Sequence, residues 1–331
     1  MSIPGPPLLF ALGNSRPLGE RIAARLGVTL SAHEEREFGG GEHKARPLVE
    51  VGRRSVYVVH RLDGDATASA NDKLVRLLFF VGALKDAGAA DVTVIAPYLA
   101  YSRKDRRTKP RDPVTVRYVA SLFEAVRTDR IVTLEVHNLS AFESAFRRCR
   151  PEHVPVAGLL ADHYAPAIGD RPVAVVSPDA GGNKRAELFR TVLEQRLGRP
   201  VEKAIMDKHR SSGIVSGTLF AGNVDGRLAI IVDDLISSGG TIVRTTLACR
   251  EAGASRVAAA AAHGLFSGDA SALFGPEGPD EIVVTDSVST PSFLDQAAAG
   301  KLVTVGTADL LGDIIGRIHR GEAVSDLIPY Y

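Results

Sequence analysis

The sequence predicts an α/β fold built on mainly parallel sheets, and three observations predict it. Short β-branched runs alternate with longer stretches whose apolar residues recur every three or four positions. The short runs are apolar throughout rather than at every second residue, as strands covered on both faces require. The chain has 331 residues, which suits two domains of ordinary size better than one.

Taken in order, the β-branched runs place strands over residues 55–60, 92–96, 131–136, 173–177, 228–232, 257–260 and 282–285. Three- and four-residue apolar spacing places helices over 72–85, 116–125 and 186–196 between several of them. The Pro-punctuated stretch at 149–155 (CRPEHVP) reads as a hinge between two halves of similar strand, loop and helix rhythm. The expected domains are therefore 1–150 and 151–307, with a tail over 308–331 whose helix-like stretch, 308–320, packs back onto the first. Residues 206–226, rich in Lys, Arg, Ser and Gly without a clean period, read as a long loop with room for a short hairpin, and loops of that length are often functional.

Composition narrows the class. Hydrophobic residues make up 45% and charged residues 24%, enough for packed cores. A formal net charge of +1 lacks the basic excess of a nucleic-acid binder. Cys149 and Cys249 have no CxxC partner, which argues against a disulfide framework or a structural zinc site and suits a reducing cytoplasm. The apolar run at 8–12 is too short for a signal peptide, and no stretch reaches the roughly 18–20 apolar residues that span a membrane. No nucleic-acid or membrane partner is expected.

Chemistry concentrates after the strands, where open parallel sheets bind ligands. The run 228–232 leads into Asp233-Asp234, then Leu235-Ile236-Ser237-Ser238-Gly239-Gly240-Thr241 and a helix. Two carboxylates at a strand end suit a sugar diol or a hydrated Mg²⁺. Hydroxyls and close-approaching N–H groups at a helix start suit a phosphate. Taken singly, the acidic pair could simply end a strand and the glycines make a turn; the whole nine-residue pattern is more specific. It resembles the phosphoribosyl-pyrophosphate motif of the phosphoribosyltransferase superfold. One strand earlier, residues 173–177 run into Pro178-Asp179-Ala180-Gly181-Gly182-Asn183-Lys184-Arg185, where small residues after an aspartate let backbone approach a phosphate chain and Asp179 could meet its Mg²⁺.

That second loop narrows the resemblance to the ribose-phosphate pyrophosphokinases, and further matching stretches run along nearly the whole chain. They include Gly13-Asn14-Ser15, Asn71-Asp72, Pro97-Tyr98, Tyr101 to Arg106, Lys109 to Val114, Ile205 to Arg210, His263 to Gly268 and Val284 to Ser287. The resemblance implies two phosphoribosyltransferase-like domains. It also implies transfer of the β,γ-pyrophosphoryl group of ATP to the C1 hydroxyl of ribose 5-phosphate. Lys208 and Arg210 fall on the family's catalytic Lys and Arg. Phe38, Glu42, Arg103, Lys104, Asp105 and His137 fall on its ATP side. Asp179, Ala180, Gly181 and Gly182 fall on its pyrophosphate loop, and Asp233 to Thr241 on its ribose 5-phosphate loop. His137 and Asp179 are the implied Mg²⁺ contacts, and a homo-oligomer is implied because family nucleotide sites are shared between neighbours.

Some residues depart from the family pattern. Ser237 and Ser238 stand where the family has aspartate and threonine, and Phe38-Gly39-Gly40-Gly41-Glu42 replaces a motif with a polar residue at position 40. Residues 138–143 (NLSAFE) replace the commoner stretch bordering the regulatory site, so the chain looks closer to the less regulated class. A catalytically silent paralogue would lack Lys208, Arg210 or the Asp179 loop. A phosphoribosyltransferase would need only the Asp233–Thr241 loop, and no GxxxxGK[ST] run is present for a P-loop kinase.

Overall fold

The computed structural model describes residues 5–211, 214–268, 270–291, 294 and 300–329; within 207–219 it describes the backbone alone. The chain forms two compact units, the first containing residues up to Val154 and Thr307–Leu327, the second Pro155–Gly306.

In the first unit the strands are β1 (Leu8–Ala11), β2 (His33–Glu37), β3 (His43–Pro47), β4 (Ser55–Val59), β5 (Asp91–Ile95), β6 (Arg130–Leu134) and β7 (Arg150–Val154). The helices are α1 (Arg16–Leu26), α2 (Ala70–Asp86), α3 (Thr115–Ala125) and α4 (Leu139–Ala145). The sheet runs β1-β4-β5-β6-β7 with every pair parallel, and β2–β3 is a separate antiparallel hairpin. In β4, β5 and β6 only the first residue is not fully buried, which is why these runs are apolar throughout.

Helix α2 shows how local sequence fixes an element. Ser69 Oγ accepts the Asp72 N–H at 3.2 Å, and the Asp72 carboxylate accepts the Ser69 N–H at 2.9 Å, a reciprocal cap that sets the start. Leu74, Leu77, Leu78, Val81 and Leu84 then face the core with Phe10, Val58 and Val94. Ser69→Ala is expected to cost about 1 kcal/mol of stability, measured as a lower denaturant midpoint at unchanged slope.

The 149–155 stretch contains β7, and the boundary between the units falls within it, between Val154 and Pro155. Pro151 is compatible with this strand because β7 lies at the sheet edge, where a missing N–H breaks no ladder.

The second unit contains α5 (Ala157–Ile168), β8 (Val173–Ser177), α6 (Asn183–Leu197), β9 (Glu202–Ser211), β10 (Ile214–Gly222), β11 (Leu228–Ile236), α7 (Gly240–Glu251), β12 (Arg256–Gly264), β13 (Glu281–Thr285) and β14 (Leu302–Val305). Its sheet runs β10-β9-β8-β11-β12-β13-β14, parallel except for the antiparallel edge strand β10. The fold is thus α/β with parallel central sheets and flanking helices.

Two elements here differ from the composition-based expectation. The segment expected as a long loop with room for a short hairpin over 206–226 carries the outer part of β9 and all of β10, which pair with each other beyond Ile205, where the ladder with β8 ends. Strand β12 runs on to Gly264, four residues beyond the expected end. Ala258 to Ala262, weak strand formers, are fully buried, so tertiary position rather than propensity decides.

Helix α8 (Ala308–Arg320) returns to the first unit. Asp313 accepts a bidentate pair from Arg25 of α1 at 2.8 and 2.9 Å, and His319 Nε2 lies 2.8 Å from the Gly5 carbonyl. Among the described residues, no helix is long and apolar enough to cross a membrane.

Candidate active site

Two of the loops predicted from sequence lie side by side in the second unit. β8 and β11 are parallel neighbours, so their carboxyl ends present residues 178–182 and 237–239 on one edge of the sheet. In the first loop, Asp179 accepts the Gly182 N–H at 2.9 Å, and Ser177 Oγ donates to the Asp179 carbonyl at 2.7 Å, closing a tight turn before α6. Asp179, Ala180 and Gly181 are exposed.

In the second loop, Gly239 caps α7 at φ +79°, a conformation that favours glycine. A Cβ there would lie 2.3 Å from Leu273 Cγ. Ser237 Oγ lies 2.5 Å from Ser267 Oγ, which brings in the stretch after β12. Ser238 and Gly240 are exposed, and Thr241 is half-buried in the first turn of α7.

Asp233 and Asp234 stand where β11 runs on past its last pairing with β8. The Asp234 side chain is buried, and its N–H donates to Asp233 Oδ1 at 2.8 Å. Burial first, and the neighbouring Asp234 charge second, push the Asp233 carboxyl well above the ordinary range; Arg185 pulls the other way. Arg185 Nη1 lies 3.6 Å from Asp233 Oδ1 and 3.8 Å from Asp234 Oδ1. Arg185 closes the Pro178–Arg185 stretch as half of the basic pair after the glycines, and was not among the expected site residues.

A carboxyl raised in the folded state takes up a proton on folding. Its stabilising contribution is therefore full below the ordinary carboxylate range and fades as pH climbs through the raised value. Asp233→Asn is expected to stabilise the ligand-free chain progressively more as pH rises from about 4 to 9, read as a melting-temperature difference that widens across that range.

Lys208 and Arg210 lie in β9. Ser177, the last residue of β8, pairs with Ile205, so the backbone of 206–211 runs beyond the carboxyl end of β8. The side chains of Lys208 and Arg210 lie outside the described residues.

In the first unit, Asn138 joins two predicted stretches. It donates to Asp105 at 2.7 Å and caps α4 by accepting the Ala141 N–H at 3.2 Å, so the 101–112 loop is tied to the residue after exposed His137. The backbone turns sharply in both stretches, at Tyr101 (φ +67°) and at buried Glu135 (φ +36°). Lys104 Nζ pairs with Asp112 at 2.8 Å, and Lys104 and Thr108 hold the Asp112 carboxyl well below the usual range. Arg103 is exposed.

Phe38 and Glu42 occupy the tip of the β2–β3 hairpin, both exposed, with the Phe38 N–H donating to the Glu42 carbonyl at 2.8 Å. The Arg36 guanidinium lies 5.1 Å from the Phe38 ring centre, a cation–π contact. The hairpin is anchored by Glu35, which accepts the Gly13 N–H at 2.8 Å and lies 3.1 Å from His33 Nε2. Burial works against the Glu35 charge, yet those partners keep its carboxyl below the ordinary range. Behind the hairpin, buried Lys73 pairs with Asp65 at 2.6 Å.

Among the described residues, no group of three or more His, Cys, Asp or Glu side chains could cage a metal. The exposed Asp179 carboxylate in the second unit is a donor that fits an ion which keeps most of its waters and arrives on phosphate oxygens, as Mg²⁺ does; His137 is exposed in the first unit.

Residues 8–126 match the family model of the N-terminal domain of ribose phosphate pyrophosphokinase, and residues 212–329 match that of the phosphoribosyl synthetase-associated domain. Ribose-phosphate pyrophosphokinase 1 of Listeria monocytogenes is 33% identical, the match covering 96% of each chain. The chain belongs to the ribose-phosphate pyrophosphokinase family. Ribose-phosphate pyrophosphokinase 2 of Enterococcus faecalis is 34% identical over 96% of this chain and 95% of that one. The crystal structure of phosphoribosylpyrophosphate synthetase from Mycobacterium smegmatis matches with a TM-score of 0.83 at 28% identity, covering 96% of this chain and all of that one. Membership makes this chain an enzyme of the pyrophosphokinase type.

Proposed function

We propose that the chain catalyses ribose-phosphate diphosphokinase chemistry: ATP and ribose 5-phosphate give 5-phosphoribosyl 1-pyrophosphate and AMP. The observation that carries this reading is the pairing of the Asp179 loop with the Asp233–Thr241 loop at adjacent strand ends. A phosphoribosyltransferase would need only the second of these.

The C1 hydroxyl oxygen attacks the β-phosphorus in line. A C1–O–Pβ linkage forms, the bond between the α–β bridging oxygen and the β-phosphorus breaks, AMP departs with that oxygen, and the hydroxyl proton is released. Such transfer depends on positioning and charge neutralisation rather than covalent help from the protein.

The Asp233–Asp234 pair exchanges hydrogen bonds with the ribose hydroxyls, and the hydroxyls and N–H groups of Ser237 to Thr241 hold the 5-phosphate. The backbone of residues 180–182 receives the pyrophosphoryl group. Lys208 and Arg210 meet the charge that builds on it. Phe38, Glu42, Arg103, Asp105 and His137 serve the nucleotide; Lys104 joins them only by releasing Asp112. Asp179 would offer Mg²⁺ a carboxylate and His137 an imidazole, and the ion would supply positive charge to offset that of the phosphates.

Family likeness supports a homo-oligomer. The two free, buried thiols, Cys149 and Cys249, support action in a reducing cytoplasm.

The test is AMP formation from ATP and Mg²⁺ with and without ribose 5-phosphate. Sugar-dependent AMP, abolished by chelation and restored by Mg²⁺, is the expected result. No AMP with ATP, GTP or CTP would overturn the reading.

A further inference from the structure

We infer that Arg185 is a positioning residue for the sugar: standing in the first turn of α6, it sets the two carboxylates of β11 in place to receive ribose 5-phosphate. The inference deepens the proposed function and rests on it. Three observations carry it.

The first is topology. Arg185 lies three residues after Gly182, on the helix that begins at the pyrophosphate loop, yet its guanidinium reaches the neighbouring sugar loop. It therefore ties the loop for one substrate to the loop for the other.

The second is geometry. One nitrogen, Nη1, stands within 4 Å of a carboxylate oxygen of both Asp233 and Asp234, at 3.6 and 3.8 Å. A single cation faces two carboxyl groups that adjoin in sequence.

The third is environment. The Arg185 side chain is only 12% exposed, beside side chains of 22% and 6%, so the interaction is poorly screened. Burial and mutual repulsion both oppose ionisation of the pair, and the Arg185 charge pulls against that opposition without cancelling it. Sugar hydroxyls both donate and accept, so the pair can serve them whichever member carries the proton, provided the two carboxyls are held in place.

The test has two arms. In the first, the ligand-free chain is melted as Arg185→Gln, Asp234→Asn and the double variant. Contacting groups couple, so the drop in melting temperature caused by Arg185→Gln is expected to shrink by at least about half in the Asp234→Asn background. Equal drops in both backgrounds would overturn the inference.

In the second arm, Arg185→Gln is expected to raise KM for ribose 5-phosphate about tenfold, the order of one ionic contact. Turnover and KM for ATP should stay within about threefold, and Arg185→Lys should recover most of the loss. A fall in turnover at unchanged KM for the sugar would overturn it, since Arg185 would then act on the transferred group. A native chain that forms no AMP would instead count against the functional reading; the melting arm, run without substrate, still decides whether Arg185 acts on the pair.

Discussion

Replacing Lys208 with alanine is expected to lower turnover for AMP formation by about 100- to 1,000-fold, the usual effect of removing one group that meets transition-state charge. The expectation begins with register. Ile205 pairs with Ser177 at the end of β8, and each extended residue adds about 3.3 Å, so the Lys208 backbone stands roughly 10 Å further along, past the start of the Asp179 loop. Negative charge spread over the transferred pyrophosphoryl group needs a cation there, and the protein supplies little else to the chemistry. KM for both substrates should change far less than turnover, because the interaction belongs to the transition state. Lys203→Ala is the control: its ammonium, on the same strand, is engaged by Glu187 at 2.8 Å, and turnover should be unaffected. Equal losses in the two variants would remove Lys208 from the chemistry.

Gly239→Val is expected to be the most damaging change in the sugar loop. The residue sits at φ +79°, which costs a side-chain-bearing residue about 1–2 kcal/mol by itself, and its Cβ would stand 2.3 Å from Leu273 Cγ. The loop must move or Leu273 must, and either displaces the hydroxyls and N–H groups that hold the 5-phosphate. Since small misplacements cost about 100-fold, kcat/KM for ribose 5-phosphate should fall at least that far, with a lower melting temperature. Gly240→Ala is the matched comparison: its Cβ would meet only Arg244 Nη1, at 3.7 Å, so the melting temperature should barely change. Similar melting losses at the two glycines would show that crowding at Leu273 is not what fixes residue 239.

The loops after β8 and β11 were legible in the sequence because each combines a buried β-branched strand with acidic and small residues whose chemistry has few other uses. The helix over 308–320 was legible from its apolar spacing. The β2–β3 hairpin was not, since HEERE and HKARP carry no apolar alternation. It is held instead by cross-strand charge, Arg46 to Glu34 at 2.5 Å, and by Glu35 on the Gly13 N–H. Strand β9 was hidden by its polar composition, its ladder with β8 being a tertiary fact. Strand β7 was hidden by Pro151, which only an edge position accommodates. Arg185 was visible as half of a basic pair, but its reach to Asp233 and Asp234 depends on strand order, which no local pattern reports.

The central claim is that the bond broken lies between the α- and β-phosphates of ATP and that both outer phosphates travel together. The most direct measurement is a single turnover with ATP labelled at the γ-phosphate, in the presence of ribose 5-phosphate and Mg²⁺, followed by separation of the products. All label is expected to leave ATP on a sugar pyrophosphate, one mole for each mole of unlabelled AMP. Label on a sugar monophosphoryl product with ADP as partner, or free labelled pyrophosphate formed without the sugar, would contradict it.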